Sequence, residues 1–242
     1  DLLEYDAKID GLSDADKAIV YFYRGLAQLK INRPKEAEAE FDEAIQADKS
    51  SESGKLANAY LLSLFKNFDD AEVLIDDILA NNPTHTETLI LKNRLLAVSK
   101  EFDESVAAIN KAIELEPRRL DLYITSALTH IMANQNEEAE EKIDKLLDSA
   151  PSHFYSNLIK ARLRLQAKDW ELAREHADKA LIQSEVSKEA KLISGIANFY
   201  LQNWEIARDK LMSVRNFVKP DHPAHRMLSY TEFKLGYIQS AD

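Results

Sequence analysis

Apolar and small residues along this chain recur three and four positions apart, in short stretches that come in pairs. Tyr21, Gly25 and Ala27 mark one amphipathic helix, and Ala37, Phe41 and Ala44 mark its partner. The pairing then repeats. Asp169-Trp170-Glu171-Leu172-Ala173 returns as Asn203-Trp204-Glu205-Ile206-Ala207, a shift of 34 residues. Steps of 34 from Ala173 land on Ala139, Ser105, Ala71 and Ala37 in one direction, and on Ala207 and Ala241 in the other. Every landing is small. The aromatic three places earlier keeps the same beat at Phe68, Phe102, Trp170 and Trp204. A fixed period in this range is the signature of a repeat array.

The period predicts an all-α solenoid of helix–turn–helix units near residues 18–51, 52–85, 86–119, 120–153, 154–187 and 188–221. A truncated seventh runs over 222–242, and the whole of 1–242 is read as a single stack. Asp1 to Asp10 has helical spacing and is expected to pack under the first unit, before Gly11-Leu12-Ser13-Asp14 stops it and caps the next helix. Gly25, Ala59, Ala127, Ala161 and Gly195 leave room for a partner helix to approach. Ala37, Ala71, Ala139, Ala173 and Ala207 are their counterparts on the second helix, and Phe41, Ile75, Ile109, Ile143 and Leu211 fill the space beside them. Pro83, Pro117 and Pro151 end second helices. A buried Leu, Ile or Phe contributes roughly 1.5–3 kcal/mol, while ordering costs about 1–2 kcal/mol per residue. One helix pair is therefore stable only when stacked on neighbours. No polar capping helix follows Ala241, so the parent protein is expected to continue, and uncapped ends would permit end-to-end self-association.

The 34-residue period, the small pair and the terminal Pro together resemble the tetratricopeptide repeat (TPR). The resemblance covers Ser13 to Asp242 and implies a right-handed α-solenoid of about six full repeats plus the truncated seventh. Lys55, Asn157 and Lys191 depart from it at a first-helix position that is usually aromatic or Leu. Asn93 and Ser105 depart at the small pair. Those units are expected to pack less tightly. Gly25-Leu26-Ala27-Gln28-Leu29, Leu89-Ile90-Leu91-Lys92-Asn93 and Pro220-Asp221-His222-Pro223-Ala224 also resemble the long TPR lipoproteins of bacterial PEP-CTERM systems. That likeness implies a role beside exopolysaccharide production and C-terminal protein sorting. It also implies a periplasmic-side envelope location with a lipid anchor on a part absent here. A cytoplasmic location is the alternative.

Composition narrows the chemistry. Lys+Arg 31 against Asp+Glu 42 gives a net charge of −11, which argues against nucleic acid and anionic membranes as partners. There is no Cys, so disulfides, thiol catalysis and thiolate metal sites are excluded within the chain. No apolar run reaches the roughly 18 residues that span a bilayer, so this stretch is not expected to insert directly into a membrane. There is no phosphate loop, nucleophile elbow or His-Glu-x-x-His, and no carboxylate pair is set apart by an apolar pocket. The reading is non-enzymatic, with no catalytic residue, cofactor or metal. His222 and His225 have a ligand-like i, i+3 spacing but lack a third ligand. His130 falls where first-helix side chains pack. Glu137-Glu138-Ala139-Glu140-Glu141 reads as a solvated acidic helix start.

What remains is a surface. First helices line the concave side of the resembling family, and positions 2, 5, 9 and 12 of each unit face it. They select a partner-binding groove of Phe22, Leu26, Tyr60, Arg94, Leu128, Tyr155, Arg162, Phe199, Arg226, Tyr230 and Phe233, with Leu56, Ile90, Ile124, Leu158 and Leu192 as aliphatics that could instead pack between helices. Apolar surface rimmed by charge marks an interaction site, with aromatics and Arg as anchors. The expected function is a scaffold that holds a protein or peptide in this groove. The alternative is a structural spacer or assembly platform of a polysaccharide secretion machine, acting through its convex face or ends.

Overall fold

The residues that keep the 34-residue beat turn out to sit at helix starts and helix crossings. A computed structural model describes Ile9 and residues 11–237; the expected N-terminal helix before Asp10 and the start of a last helix at Ala241 lie outside the described residues, Ile9 apart. Thirteen α-helices and no strand occur among the described residues. They run α1 (Asp14–Lys30), α2 (Pro34–Asp48), α3 (Glu52–Leu64), α4 (Phe68–Asn81), α5 (Thr86–Ser99), α6 (Phe102–Leu115) and α7 (Leu120–Met132). There follow α8 (Asn136–Ser149), α9 (Phe154–Gln166), α10 (Trp170–Gln183), α11 (Lys188–Tyr200), α12 (Trp204–Ser213) and α13 (Pro223–Lys234). The aromatics Phe68, Phe102, Trp170 and Trp204 each open the second helix of a pair. Ser13 caps α1, its Oγ accepting from the Asp16 N–H at 3.2 Å. α1 thus begins four residues before Ala18.

The turn inside each pair is the same structure seven times. Asn32, Lys66, Lys100, Asn134, Lys168, Gln202 and Gly236 all have positive φ, and successive ones are 34 residues apart. The following N–H reaches back five residues, as in Asn67 N–H to the Leu62 carbonyl at 2.8 Å and Asp169 N–H to the Arg164 carbonyl at 2.9 Å. This is a left-handed C-cap that satisfies the orphan carbonyls and reverses the chain.

Two compact units result, Asp1–Leu122 and Tyr123–Asp242. In the N-terminal unit Phe22, Phe41, Leu56, Tyr60, Ile75 and Ile78 form the main core, with the Phe41 and Tyr60 rings stacked at 5.4 Å. In the C-terminal unit one cluster joins Ala161, Ala173, Ala177 and Ile193, and another joins Ala127, Ala139, Ile143 and Ile159. The small positions are obligatory where they meet bulk: a Cβ at Gly25 would collide with the Phe41 ring, and one at Gly195 would lie 2.9 Å from Leu211.

At two of the departures from the repeat pattern, Lys55 and Asn157, polar links stand in for apolar fill. Lys55 reaches across to Asp77. Asn157 is buried and its amide donates to the Pro151 and His153 carbonyls at 2.9 and 3.0 Å, fastening the turn before its own helix. The acidic run is corrected at one member: Glu140 lies 2.8 Å from Lys160 and 2.5 Å from Arg164 of the next repeat, and Lys160 is buried. Glu140 is thus a packing charge, not part of a solvated face.

Candidate functional site

Curvature decides which side chains can meet a partner. Within the N-terminal unit α1 touches α3 and α3 touches α5; within the C-terminal unit α9 touches α11 and α11 touches α13. Second helices of successive repeats make no comparable contact among the described residues. First helices therefore line the inner side of each unit.

In the N-terminal unit most of the expected groove residues are core. Phe22 is buried, Tyr60 is 3% exposed, and Leu56 and Ile90 are buried with them; Leu26 packs against the same cluster. The reason is distance: adjacent first helices approach closely, and positions 5 and 9 fill the gap, with the Phe22 and Tyr60 rings 5.8 Å apart. Burial pushes the Tyr60 hydroxyl up to about 12, against the opposing charge of Arg94. Phe22 and Tyr60 are therefore withdrawn as partner contacts. Arg94 stays exposed.

A charged network lies on this side instead. Arg119 Nη1 donates to Glu87 Oε1 at 2.6 Å, and its Nε and Nη2 donate to Asp121 at 3.1 and 3.3 Å. Lys30, at the end of α1, is 3.7 Å from Asp121. Partial burial opposes the charge on Arg119, but the hydrogen bonds it donates to Glu87 and Asp121 outweigh it and raise the pKa. Tyr23 on α1 is raised too, by burial first and by the Glu87 carboxylate second. Arg119 was absent from the expected site. Its signal is positional: it occupies the place where Ser51, His85, His153 and Ser187 cap the other first helices.

The C-terminal unit keeps its inner side open. Tyr155 is 60% exposed, Phe233 56%, Tyr230 46% and Leu128 42%, and Arg226 is exposed beside them. Leu158 is buried, and Ile124 and Leu192 pack against core clusters. Arg162 donates from Nε to Glu189 Oε1 at 3.0 Å, so its charge is tied to the next repeat. Phe199 is half-buried between Trp204 and Tyr230, at 5.7 and 5.8 Å. A line of rings continues from it through exposed Tyr200, which stacks on Trp170 at 4.0 Å and 12°. Lys234 sits over the Tyr230 ring at 5.3 Å. Tyr200 was not anticipated; it is the last residue of α11 and lies just past the position that selected Phe199.

The histidines have local duties. His222 Nδ1 accepts from the Ala224 N–H at 3.1 Å as a helix cap, and His225 Nε2 pairs with the Lys219 carbonyl at 3.1 Å. His130 is buried with Nδ1 2.8 Å from Gln135 Oε1. Among the described residues no three His, Asp or Glu side chains gather as a metal site, and no helix is long and apolar enough to cross a membrane.

The family profile described as tetratricopeptide repeat protein 21 N-terminal ARM repeat matches residues 18–174. No protein of curated function matches the chain in sequence. Among solved structures, PilF of Pseudomonas aeruginosa superposes with a TM-score of 0.70 at 17% identity, over 93% of this chain and 100% of its own. PilW, described as a widely conserved type IV pilus biogenesis factor, gives 0.67 at 17% identity over 88% and 97%. YrrB, described as a TPR protein with an unusual peptide-binding site, gives 0.58 at 17% identity over 76% and 94%. At these identities the likeness is one of fold.

Proposed function

The chain belongs to the TPR family matched by the tetratricopeptide repeat protein 21 N-terminal ARM repeat, and from that premise we propose that it is a non-enzymatic scaffold that docks a partner segment on the inner side of its C-terminal unit. The observation that carries this is the exposure of Leu128, Tyr155, Tyr230 and Phe233 on first helices. Apolar side chains on a curved inner face, bordered by cations, are where binding energy concentrates. Arg226 and Lys234 supply the border, in a chain whose net charge is −11. The partner that fits is an extended segment with apolar anchors and acidic flanks. The peptide-binding site named for YrrB is consistent with such a use of the fold.

The test is the combined variant Tyr155→Ala, Arg226→Glu, Tyr230→Ala, Phe233→Ala. It should lose cross-linked partner from cell extract while its circular dichroism stays that of the parent. Full retention of the partner would overturn the assignment. A spacer acting through the convex face is the second reading. It is favoured by Ile182, Val186 and Ile206, exposed apolar residues of the C-terminal unit; Ile182 and Ile206 line a shallow cleft of about 330 Å³ with Arg174 and Asp178. Loss of capture by Ile182→Asp with the groove variant unaffected would select it.

A bacterial-envelope setting, alongside exopolysaccharide production and protein sorting, rests on the three repeat words at Gly25–Leu29, Leu89–Asn93 and Pro220–Ala224. An N-terminal lipobox in the parent reading frame is the feature that tests it.

A further inference from the structure

Stacked repeats ordinarily touch only their neighbours, so a run of them flexes like a spring. The N-terminal unit breaks that rule. Lys30 belongs to the first repeat and Asp121 to the fourth, yet their charged atoms are 3.7 Å apart. A second observation points the same way. Tyr23, also on α1, lies within electrostatic reach of Glu87 at the start of α5 and of Arg119 just before α7. Asp121 is held from the other side by Arg119, and Arg119 by Glu87.

The members of this network differ in exposure. Glu87 and Arg119 are 10% and 23% exposed at the side chain, so solvent ions screen their pair poorly. Lys30 and Asp121 are 70% and 43% exposed, so theirs is screened readily. The hub is firm and the crossing is soft.

We propose that Lys30 and Asp121 form an ionic strap that holds the inner side of the N-terminal unit closed, and that screening this pair releases it while Arg119 stays docked on Glu87. The opening of that side is then set by ionic strength. Arg94, exposed on α5 with no carboxylate partner among the described residues, is the cation that a wider opening would offer to an incoming anionic group.

The chain has no Cys, so two can be placed at will. The experiment puts spin labels on Ile31→Cys and Arg118→Cys, both exposed neighbours of the strap, in the full chain. The label separation is read by dipolar paramagnetic resonance at low and high salt, where the Debye length is about 30 Å at 0.01 M and about 3 Å at 1 M. The expected result is a short, narrow distribution at low salt that lengthens by several ångströms at high salt. Lys30→Gln should give the long distribution at both, and Lys30→Arg should follow the parent. A parent distribution that does not change with salt would show that packing, not the ion pair, sets the closure. The salt series on the parent decides this even if a Lys30 variant misfolds, and equal helicity of the variants is the control.

Discussion

Asn93 and Ser105 occupy the two positions at which the other full repeats place a small, apolar pair, and they have become a hydrogen-bonded couple. The Asn93 amide donates to the Ser105 carbonyl and hydroxyl at 3.1 and 2.9 Å, and the Ser105 hydroxyl donates to the Asn93 carbonyl at 2.8 Å. Both are buried. The larger side chain is tolerated because the crossing helices exchange dispersion contacts for satisfied polar ones. Removing one partner leaves buried groups short of bonds, which costs about 1–3 kcal/mol. Ser105→Ala and Asn93→Ala should each lower stability by that order. The double variant should cost less than the two together, because it removes both sides at once. Urea unfolding of the four proteins checks this, and additive effects would refute the coupling.

The seven left-handed turn residues make a second prediction. Lys66, Lys100 and Lys168 hold φ near +60°, a conformation that costs an L-residue about 1–2 kcal/mol and glycine nothing. Glycine gives back about 0.5–1 kcal/mol through its freer unfolded chain. Each Lys→Gly change should therefore stabilise by up to about 1 kcal/mol, and the three should add, since distant sites are independent. Gly236→Ala, at φ +83°, should destabilise. Thermal midpoints of the single and triple variants measure both signs.

Lys92 and Lys160 stand at the same repeat position, and each pairs with an Asp of the preceding second helix, Asp76 at 2.8 Å and Asp144 at 2.5 Å. Their surroundings differ. Lys92 is 30% exposed at the side chain, whereas Lys160 is 7% exposed and also holds Glu140. Lys92→Met should change stability by less than about 1 kcal/mol. Lys160→Met should cost more, about 1–3 kcal/mol, because it leaves the half-buried Glu140 with Arg164 alone. Denaturant midpoints compared between the two variants test the ranking, and equal losses would contradict it.

The period made the fold legible, because helix starts, helix crossings and turns all repeat every 34 residues. Trp170 and Trp204 announced second helices, and Gly25 and Gly195 announced close approach. The turn geometry was largely hidden, since Lys66, Lys100, Lys168 and Gln202 carry none of the composition of a left-handed turn, and only Gly236 and the asparagines Asn32 and Asn134 have it. The site was legible in part. Spacing alone cannot separate Tyr60, stacked on Phe41 and buried, from Tyr230, which holds the same repeat position and stays exposed. Nor can it reveal Lys30 beside Asp121, because that meeting depends on how tightly three repeats curve. Polar residues at core positions, Asn157 and Asn93, looked like weak points only while their partners were unknown.

His176, the hydrogen-bond partner of Asn157, carries a pH dependence. The Asn157 side-chain oxygen accepts from His176 Nδ1 at 2.9 Å, which fixes the neutral tautomer with the proton on Nδ1. Burial, and then the nearby Lys179 charge, lower the His176 pKa from its ordinary 6.5. The sign follows from proton counting: below about 6.5 the unfolded chain takes up a proton at this site that the folded chain resists. The group is therefore neutral to stability above that pH and works against folding as the pH falls through it, until the folded state also protonates. His176→Gln keeps a donor for Asn157 and removes the titration. Urea midpoints at pH 7.5 and 5.5 should show a smaller drop for this variant than for the parent. The same drop in both proteins would assign the acid sensitivity to other groups.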